Sequence, residues 1–371
     1  MALERPGRTR ELGLMATTHP LNAMAGDHAG LARWALGRMG AAAARDIQFD
    51  AEAQYVQHRF PDDVSGRYGW HSVGRFEETE ATSAGRLRID SESSARLRKE
   101  DEAAGDPLLS LCDPARLISG VATASAGQCT WIDGRSCVAV NLVPHPWTAD
   151  PQDPWLPPGV TYLTAGVDTA TGFLLRTRAY DRQGCFRSGH LRGLRTTADG
   201  SSPIIDAART PAGTEKGAAF VLARMATSLL DPVRLRAEVT AVPEIESDLS
   251  VASVPSSRSW AVTFRGRNTM TVEMSGDYEP DQADPAAARL AELLSPARVV
   301  SHLAEVTTAG PTSVKATVRP MRSFPFSAWA PEEGLVCHFT LDPDTGILLR
   351  ANTEDGSRTL FRMDVTPQRT D

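Results

Sequence analysis

The residues that come nearest to a catalytic set are Asp181, Cys185 and His190. A thiol beside an imidazole is the pairing of a cysteine nucleophile with its base, and the two would meet across strands if Asp181 and Cys185 bracket a turn. The sequence offers no group to orient the histidine and no glycine-rich elbow or oxyanion donor, so a structural role is favoured. An enzymatic function would be tested by substituting Asp181, His190, His145 and Arg176.

Metal ligands and cofactor motifs are not apparent in the sequence. Cys337 and His338 are neighbours on a predicted strand and point to opposite faces, which disfavours a shared metal ion. The other histidines lack a ligand spacing such as His-x-x-x-His. Neither a phosphate-binding loop nor a dinucleotide fingerprint occurs. The sequence therefore predicts no catalytic residue, no metal ion and no cofactor.

The five cysteines are predicted to be reduced thiols, because their number is odd and their spacing is irregular. One pair, Cys129 and Cys137, flanks a predicted turn at Asp133-Gly134. A two-residue loop would pair Cys129 with Val138 and place the two cysteines on opposite faces. A three-residue loop, with Gly134 left-handed, would bring Cys129 opposite Cys137 and permit a disulfide. The sequence leaves both registers open.

Hydrophobic side chains are the remaining candidates for a function. Trp147 and Trp155 lie in a proline-rich loop (144–158), and Trp329 lies in a second loop (320–331). Such stiffened loops would hold the rings over a cavity at low entropic cost, or the rings would simply cover the end of a sheet. On a predicted strand, Trp131 is expected in the core rather than against a ligand. The candidate ligand contacts are Trp131, Trp147, Trp155, Phe173, Leu175, Trp329, Ile347 and Leu349.

The elements that would position these residues follow from an internal repeat. Residues 168–176 and 342–350 share the pattern Asp-x-x-Thr-Gly-x-Leu-Leu-Arg, and upstream of them residues 113–127 resemble residues 295–310. Each copy of the first pattern lies between two β-like runs, which predicts a hairpin with its glycine at positive φ. The Asp-Pro and Ser-Pro pairs that open the second pattern are typical helix N-caps.

Each half of the chain is predicted to contain a helix, strands, a second helix and further strands. The predicted helices cover residues 27–44, 107–124, 218–238 and 285–305. A segment rich in Thr, Ala, Gly, Ser, Pro and Asp separates the halves. The predicted divisions are a loose N-terminus (1–26), a first unit (27–194), a linker (195–217), a second unit (218–366) and a tail (367–371). The sequence thus predicts an α+β protein of two tandem homologous units.

This element order resembles the lipoprotein-carrier (LolA-like) superfamily, which includes LppX, LprG and the N-terminal domain of RseB. The residues that carry the resemblance are Asp168, Thr171, Gly172, Leu174, Leu175 and Arg176, and then Asp342, Thr345, Gly346, Leu348, Leu349 and Arg350. The resemblance implies that each unit is a curved antiparallel half-barrel sheet packed over helices. It also implies non-catalytic binding of a lipid or acyl chain in an apolar cavity between sheet and helices. The alternatives are a protein–protein regulatory module of the RseB type and an enzyme acting on an apolar substrate.

The composition of the chain bounds its partners. A net charge of −7 disfavours binding to nucleic acid or anionic membranes through bulk charge. No apolar run reaches the length of a membrane-spanning helix. The N-terminal residues lack the pattern of a signal peptide, so the expected location is the cytoplasm. The expected partner is a hydrophobic small molecule or lipid, with a protein as the alternative.

Overall fold

The computed structural model describes two antiparallel sheets and the helices that pack on them. It covers residues 27–45, 47–58, 81–89, 109–145, 155–196, 217–230, 234–243, 258–265, 270–274, 292–318, 335–356 and 358–368. Trp147, Trp329, residues 1–26 and most of the predicted linker lie outside these ranges. An α+β architecture is confirmed for the described residues.

The first half of the chain begins with helix α1, His28–Ala42. Asp27 caps this helix as predicted, because its carboxylate accepts a hydrogen bond of 2.8 Å from the amide of Gly30. Among the described residues, the other helices of this half are α2 (Leu109–Cys112) and α3 (Ala115–Ile118). Its strands are β1 (Phe49–Gln57), β2 (Ala81–Ile89), β3 (Val121–Ile132), β4 (Arg135–Pro144), β5 (Tyr162–Asp168), β6 (Leu174–Asp181) and β7 (Gly184–Thr196).

The second half begins with helix α4, Gly217–Thr227, and contains the short helix α5, Ala297–Val300. Its strands are β8 (Arg234–Pro243), β9 (Arg258–Arg265), β10 (Met270–Met274), β11 (Leu303–Gly310), β12 (Ser313–Val318), β13 (Val336–Leu341), β14 (Leu348–Asp355) and β15 (Arg358–Gln368).

The two sheets are connected in the same way. The first has the order β2-β1-β7-β6-β5-β4-β3, and the second has the order β10-β9-β8-β15-β14-β13-β12-β11. In both, the last strand of the half inserts beside the first one, and the preceding strands follow as a meander towards an edge. Among the described strands, the second sheet has one more at the opposite edge, β10.

The predicted helices are longer than the observed ones. The helix predicted at 107–124 is wrong beyond Ile118, since β3 begins at Val121 and pairs with β4. The helix predicted at 285–305 ends at Val300, and β11 begins at Leu303. Sheet pairing overrides the local helical propensity of these alanine-containing segments.

The helix predicted at 218–238 ends at Thr227. The hydroxyls of Thr227 and Ser228 donate to the carbonyls of Arg224 and Met225, at 3.1 and 2.7 Å. Both carbonyls also accept from the amide of Ser228, so the end of the helix leaves neither of them without a donor. The strand β8 then starts at Arg234.

One apolar core runs through both halves. Helix α1 contacts β3, β4 and β5, α4 contacts β11 and β12, and the two helices pack against each other between the sheets. Their approach is close because a β-carbon at Gly40 would lie 2.6 Å from Ala226 Cβ and 2.7 Å from the carbonyl oxygen of Leu222. Small residues at the crossing, including Ala41 and Ala223, allow this distance.

Candidate functional site

The repeated Asp-x-x-Thr-Gly pattern forms the predicted hairpin turn between β5 and β6. The carboxylate of Asp168 accepts hydrogen bonds from the amide and the hydroxyl of Thr171, at 2.9 and 2.7 Å. That hydroxyl oxygen accepts in turn from the amide of Phe173 at 3.0 Å. Gly172 has φ +86°, as its place in the pattern predicts.

The second copy builds the same turn between β13 and β14. Asp342 accepts from the hydroxyl of Thr345 at 2.6 Å, and its carbonyl accepts from the amide of Gly346 at 2.8 Å. Gly346 has φ +78°. The two copies of the Asp-x-x-Thr-Gly pattern therefore form similar turns, and the residues of the pattern serve the turn.

Each turn docks on a buried arginine near the end of a helix. Arg224 of α4 donates to the carbonyls of Pro343 and Asp344, at 3.1 and 2.9 Å. In the first half, a β-carbon at Gly172 would overlap the carbonyl oxygen of Arg38 on α1. Both arginines are almost fully buried, with 4% and 3% of their surface exposed. Neither arginine was predicted from the sequence, although both lie in a shared Leu-x-Arg-Met pattern at 36–39 and 222–225.

The tip of the β3–β4 hairpin folds back over the first sheet. Arg135 donates to both carboxylate oxygens of Asp168, at 2.9 and 3.1 Å, and to the carbonyl of Leu194 on β7 at 3.1 Å. Ile132 lies over Gly166 of β5, where a β-carbon would overlap it. Strand β7 is three positions from β4 in the sheet order. These contacts show that the first sheet is strongly curved.

The predicted catalytic candidates are not brought together. Asp181 accepts from the amides of Gln183 and Gly184, so its carboxylate serves the β6–β7 turn. The thiol of Cys185 donates to the carbonyl of Arg187. His190 lies five residues further along β7, about 16 Å away at the usual rise of a strand. This separation does not fit a thiol and its base.

Both ring nitrogens of His190 face neighbouring side chains. Its Nδ1 accepts from Arg192 Nε at 2.9 Å, and its Nε2 lies 2.9 Å from a carboxylate oxygen of Asp133. Burial lowers the pKa of His190, and the charges of Arg192 and Arg176 lower it further, while Asp133 opposes them. Because Nδ1 already accepts a hydrogen bond from an arginine, the ring is poorly suited to act as a base.

The cysteines follow the two-residue register. Asp133 and Gly134 both have positive φ, and Cys129 pairs with Val138. All five cysteines are free thiols. Burial raises the pKa of Cys129 to about 11 and that of Cys337 to about 11, and it raises the pKa of Cys137 further. The disulfide register is therefore excluded, and these thiols are poor nucleophiles.

Trp155 fills a gap under the first sheet. Its side chain is fully buried, and its indole donates to Ser110 Oγ at 2.8 Å. The ring meets Tyr55 edge-on, with centroids 5.4 Å apart. It covers Gly189 of β7, where a β-carbon would lie 2.5 Å from the ring. Only a residue without a side chain at position 189 leaves room for this tryptophan.

In the second sheet, a different kind of residue fills the space that corresponds to the one under Gly189. Thr177 pairs with Gly189 in the first sheet, and Ala351 pairs with Met363 in the second. Because residues 177 and 351 each follow the repeated arginine, Met363 is the counterpart of Gly189. Met363 is fully buried. A strand side chain therefore occupies the position that a loop tryptophan occupies in the first half.

The other candidate ligand contacts have different environments. Phe173, Leu175 and Ile347 are buried in filled core, and Phe173 packs edge-on against Phe49. Leu349 is partly buried against the same core. In contrast to the expected core position, 49% of Trp131 is exposed. The structure thus brings Trp155, Phe173 and Leu175 beneath the first sheet and leaves Trp131 on the surface.

A small pocket lies at the junction of the two halves. It is lined by Ile118, Ser119, Val121, Ala122 and His145 from the first half and by Leu229, Ser295, Ala297 and Arg298 from the second. Its volume is about 10 Å³, the space of one water molecule. Burial lowers the pKa of His145, and the charge of Arg298 adds to this effect. The pocket is too small for an acyl chain.

The described residues contain neither a metal cluster nor a membrane-spanning helix. Within those ranges, no group of three or more histidine, cysteine, aspartate or glutamate side chains is close enough together to hold a metal ion. None of the helices described there combines the length and the hydrophobicity that crossing a bilayer requires.

Comparisons with known proteins found distant structural likenesses. The crystal structure of MucB has 9% sequence identity and a TM-score of 0.25, covering 91% of this chain and 92% of MucB. The structure of the Pseudomonas aeruginosa MucA/MucB complex has 11% sequence identity and a TM-score of 0.24, and the match covers 91% of this chain and 94% of that one. A DUF1329 family protein from Desulfovibrio piger has 12% sequence identity and a TM-score of 0.19, and the match covers 48% of this chain and 94% of that one. No family model and no curated protein matches the sequence.

Proposed function

We propose that this chain is a non-catalytic binding protein that takes an apolar ligand, a lipid or an acyl chain, in the space that Trp155 occupies. The observation that carries the proposal is the pairing of Trp155 with Gly189. The framework of the first sheet leaves a gap, and a loop residue fills it. In the second sheet the framework fills the gap itself with Met363.

The energetics of displacement suit an acyl chain. Removing a buried tryptophan side chain from a core costs about 3–5 kcal/mol. A buried methylene contributes about 0.8 kcal/mol, so about four to six methylenes offset the loss. The ring lies among apolar neighbours, with Leu111 and Tyr55 beside it, and Ser110 is its hydrogen-bond partner. Such a site is mostly apolar with few polar groups, which is typical of lipid pockets.

The proposal includes a duplicated origin for the two halves, each a unit of the lipoprotein-carrier type. It is supported by the shared strand order, by the repeated hairpin and by the buried arginine that each hairpin meets. The curvature of the first sheet, produced by contacts such as Arg135 to Leu194, supports the half-barrel description. The two units share a core through α1 and α4 but differ in how each fills its own sheet.

The test is binding of dodecanoic acid to the purified chain by isothermal titration calorimetry. Wild type is expected to bind, and Trp155→Ala is expected to bind at least about a hundredfold more tightly, because the displacement cost of about 3 kcal/mol or more disappears. The double variant Trp155→Ala/Gly189→Met is expected to lose binding, since a methionine at 189 fills the gap as Met363 does in the second sheet.

The matched control is Met363→Ala, which opens a cavity in the second half. If this variant gains affinity as Trp155→Ala does, binding reports any cavity and the proposal fails. Absence of binding to wild type, together with no lipid released when purified protein is denatured and extracted, would also overturn it. A lipid found by that extraction would identify the ligand class.

A further inference from the structure

Strand β6 presents two arginines and a tyrosine on one outer face of the first sheet. Arg176 and Arg178 are exposed and Tyr180 is half-buried, at alternate positions that share a face. Tyr180 stacks on its cross-strand partner Tyr162, with centroids 4.5 Å apart and ring planes 11° from parallel. These four residues are called the Arg–Tyr face.

The arginines of this face are not neutralised by their neighbours. Across the strands, Arg176 lies opposite His190 and Gly166, and Arg178 lies opposite Ser188 and Thr164. The carboxylate of Asp133 lies against His190. Within the described part of the chain, neither guanidinium makes a hydrogen bond or an ion pair. Among the described residues, the two guanidiniums thus lie side by side without a bonded carboxylate, and the nearby carboxylate of Asp133 contacts His190 instead.

The same positions in the second sheet are neutralised. Arg350, the counterpart of Arg176 in the repeat, forms an ion pair with its cross-strand partner Asp364, and Arg362 shares that carboxylate at 2.8 Å. The counterpart of Arg178 is Asn352, which donates to Glu354 at 2.7 Å. The acidic partner of the repeated arginine is therefore present in one sheet and replaced by His190 in the other.

We propose that the Arg–Tyr face binds an extended acidic segment of a partner protein. Arg176 and Arg178 are two residues apart on a strand, about 6.6 Å, which matches carboxylates at alternate positions of an extended peptide. The stacked tyrosines lie two positions further on and accept an apolar side chain of the same peptide. The recognised pattern is two acidic residues at alternate positions, with an apolar residue at the next alternate position.

The composition of the face favours a protein over a membrane. Arginine and tyrosine are the residue types enriched at protein interfaces. Two arginines contribute only about 1 kcal/mol each at an anionic bilayer, where stable binding takes about four to eight basic residues.

The test uses a fluorescein-labelled peptide containing Glu-Ser-Glu-Ser-Leu, with binding to the full chain followed by fluorescence anisotropy. Saturable binding is expected, and it weakens as salt is added. The double variant Arg176→Gln/Arg178→Gln is expected to bind about tenfold more weakly, since it removes two partly exposed ion pairs. Arg350→Gln/Arg362→Gln, the matched change in the second sheet, is expected to leave binding unchanged.

The result that would overturn the proposal is no peptide binding, or an equal loss in both double variants. A peptide with Gln in place of both Glu residues should bind about tenfold more weakly, as the arginine double variant does. Phosphatidylserine-containing vesicles provide the remaining comparison: sedimentation with vesicles that depends on Arg176 and Arg178, without peptide binding, would assign the face to a membrane and refute the protein partner. Binding of dodecanoic acid should be unaffected in every arginine variant, which separates this proposal from that of an apolar ligand.

Discussion

The two repeated glycines offer a matched test of how the hairpins are held. Gly172→Ala and Gly346→Ala make the same chemical change at equivalent positions, and both residues have positive φ. An alanine in this conformation costs about 1–2 kcal/mol. The neighbours of the added β-carbon differ between the two positions. At position 172 the new β-carbon overlaps the backbone carbonyl of Arg38, whereas at 346 its nearest neighbour is the side chain of Arg224 at 3.2 Å.

The backbone of a buried helix cannot move aside as the end of a side chain can. Overpacking of this kind costs about 1–3 kcal/mol in addition. We therefore expect Gly346→Ala to lower the free energy of unfolding by about 1–2 kcal/mol and Gly172→Ala by about 2–5 kcal/mol. The assay is urea-induced unfolding followed by far-ultraviolet circular dichroism. Equal losses in the two variants, or a smaller loss at 172, would refute the packing of the first hairpin on α1.

Three further predictions concern buried polar groups. Arg224→Met is expected to lower the free energy of unfolding by about 2–4 kcal/mol, because two loop carbonyls lose their donor. Arg350→Met, which removes an exposed ion pair, should lower it by less than about 1 kcal/mol. Urea-induced unfolding of both variants measures the difference. The folded-state pKa of His145 is below its unfolded value of 6.5, so the unfolded chain binds a proton first as pH falls. The stability that this group contributes is fully present above pH 6.5 and is lost as the pH falls towards the folded-state pKa. The variant His145→Gln should therefore show a smaller fall in melting temperature on acidification. An equal dependence of melting temperature on pH in wild type and variant would contradict the assignment. Cys129 and Cys137 should not form a disulfide under mild oxidation, and in the native protein their thiols should alkylate slowly near neutral pH. A mass decrease of two hydrogens that a reductant reverses would instead show the register in which Cys129 lies opposite Cys137.

Local signals in the sequence were sufficient for the turns. Gly172 and Gly346 adopt positive φ because the chain reverses there within a few residues, and a hydrogen bond from Thr to Asp within each turn supports that shape. The helix cap at Asp27 is also a local interaction, since the amide that its carboxylate accepts from belongs to Gly30, three residues away. The repeat also indicated correctly where the hairpins of both sheets lie.

Contacts between distant residues decided the rest. The helix ends at Ile118 and Val300 were set by pairing of β3 and β11, which local propensity does not contain. Sequence periodicity placed Trp131 inside, yet it lies half exposed on the edge strand β3.

The candidate sites depend on the same long-range geometry. Trp155 meets Gly189 across 34 residues of chain, by their numbers in the sequence. Arg176 lacks a counterion because β7 presents His190 where β15 presents Asp364. The sequence by itself determined the turns and the repeat, because their interactions span a few residues. Only the tertiary structure decided which gaps are filled and which charges are paired, because packing and electrostatics depend on neighbours that the fold brings together.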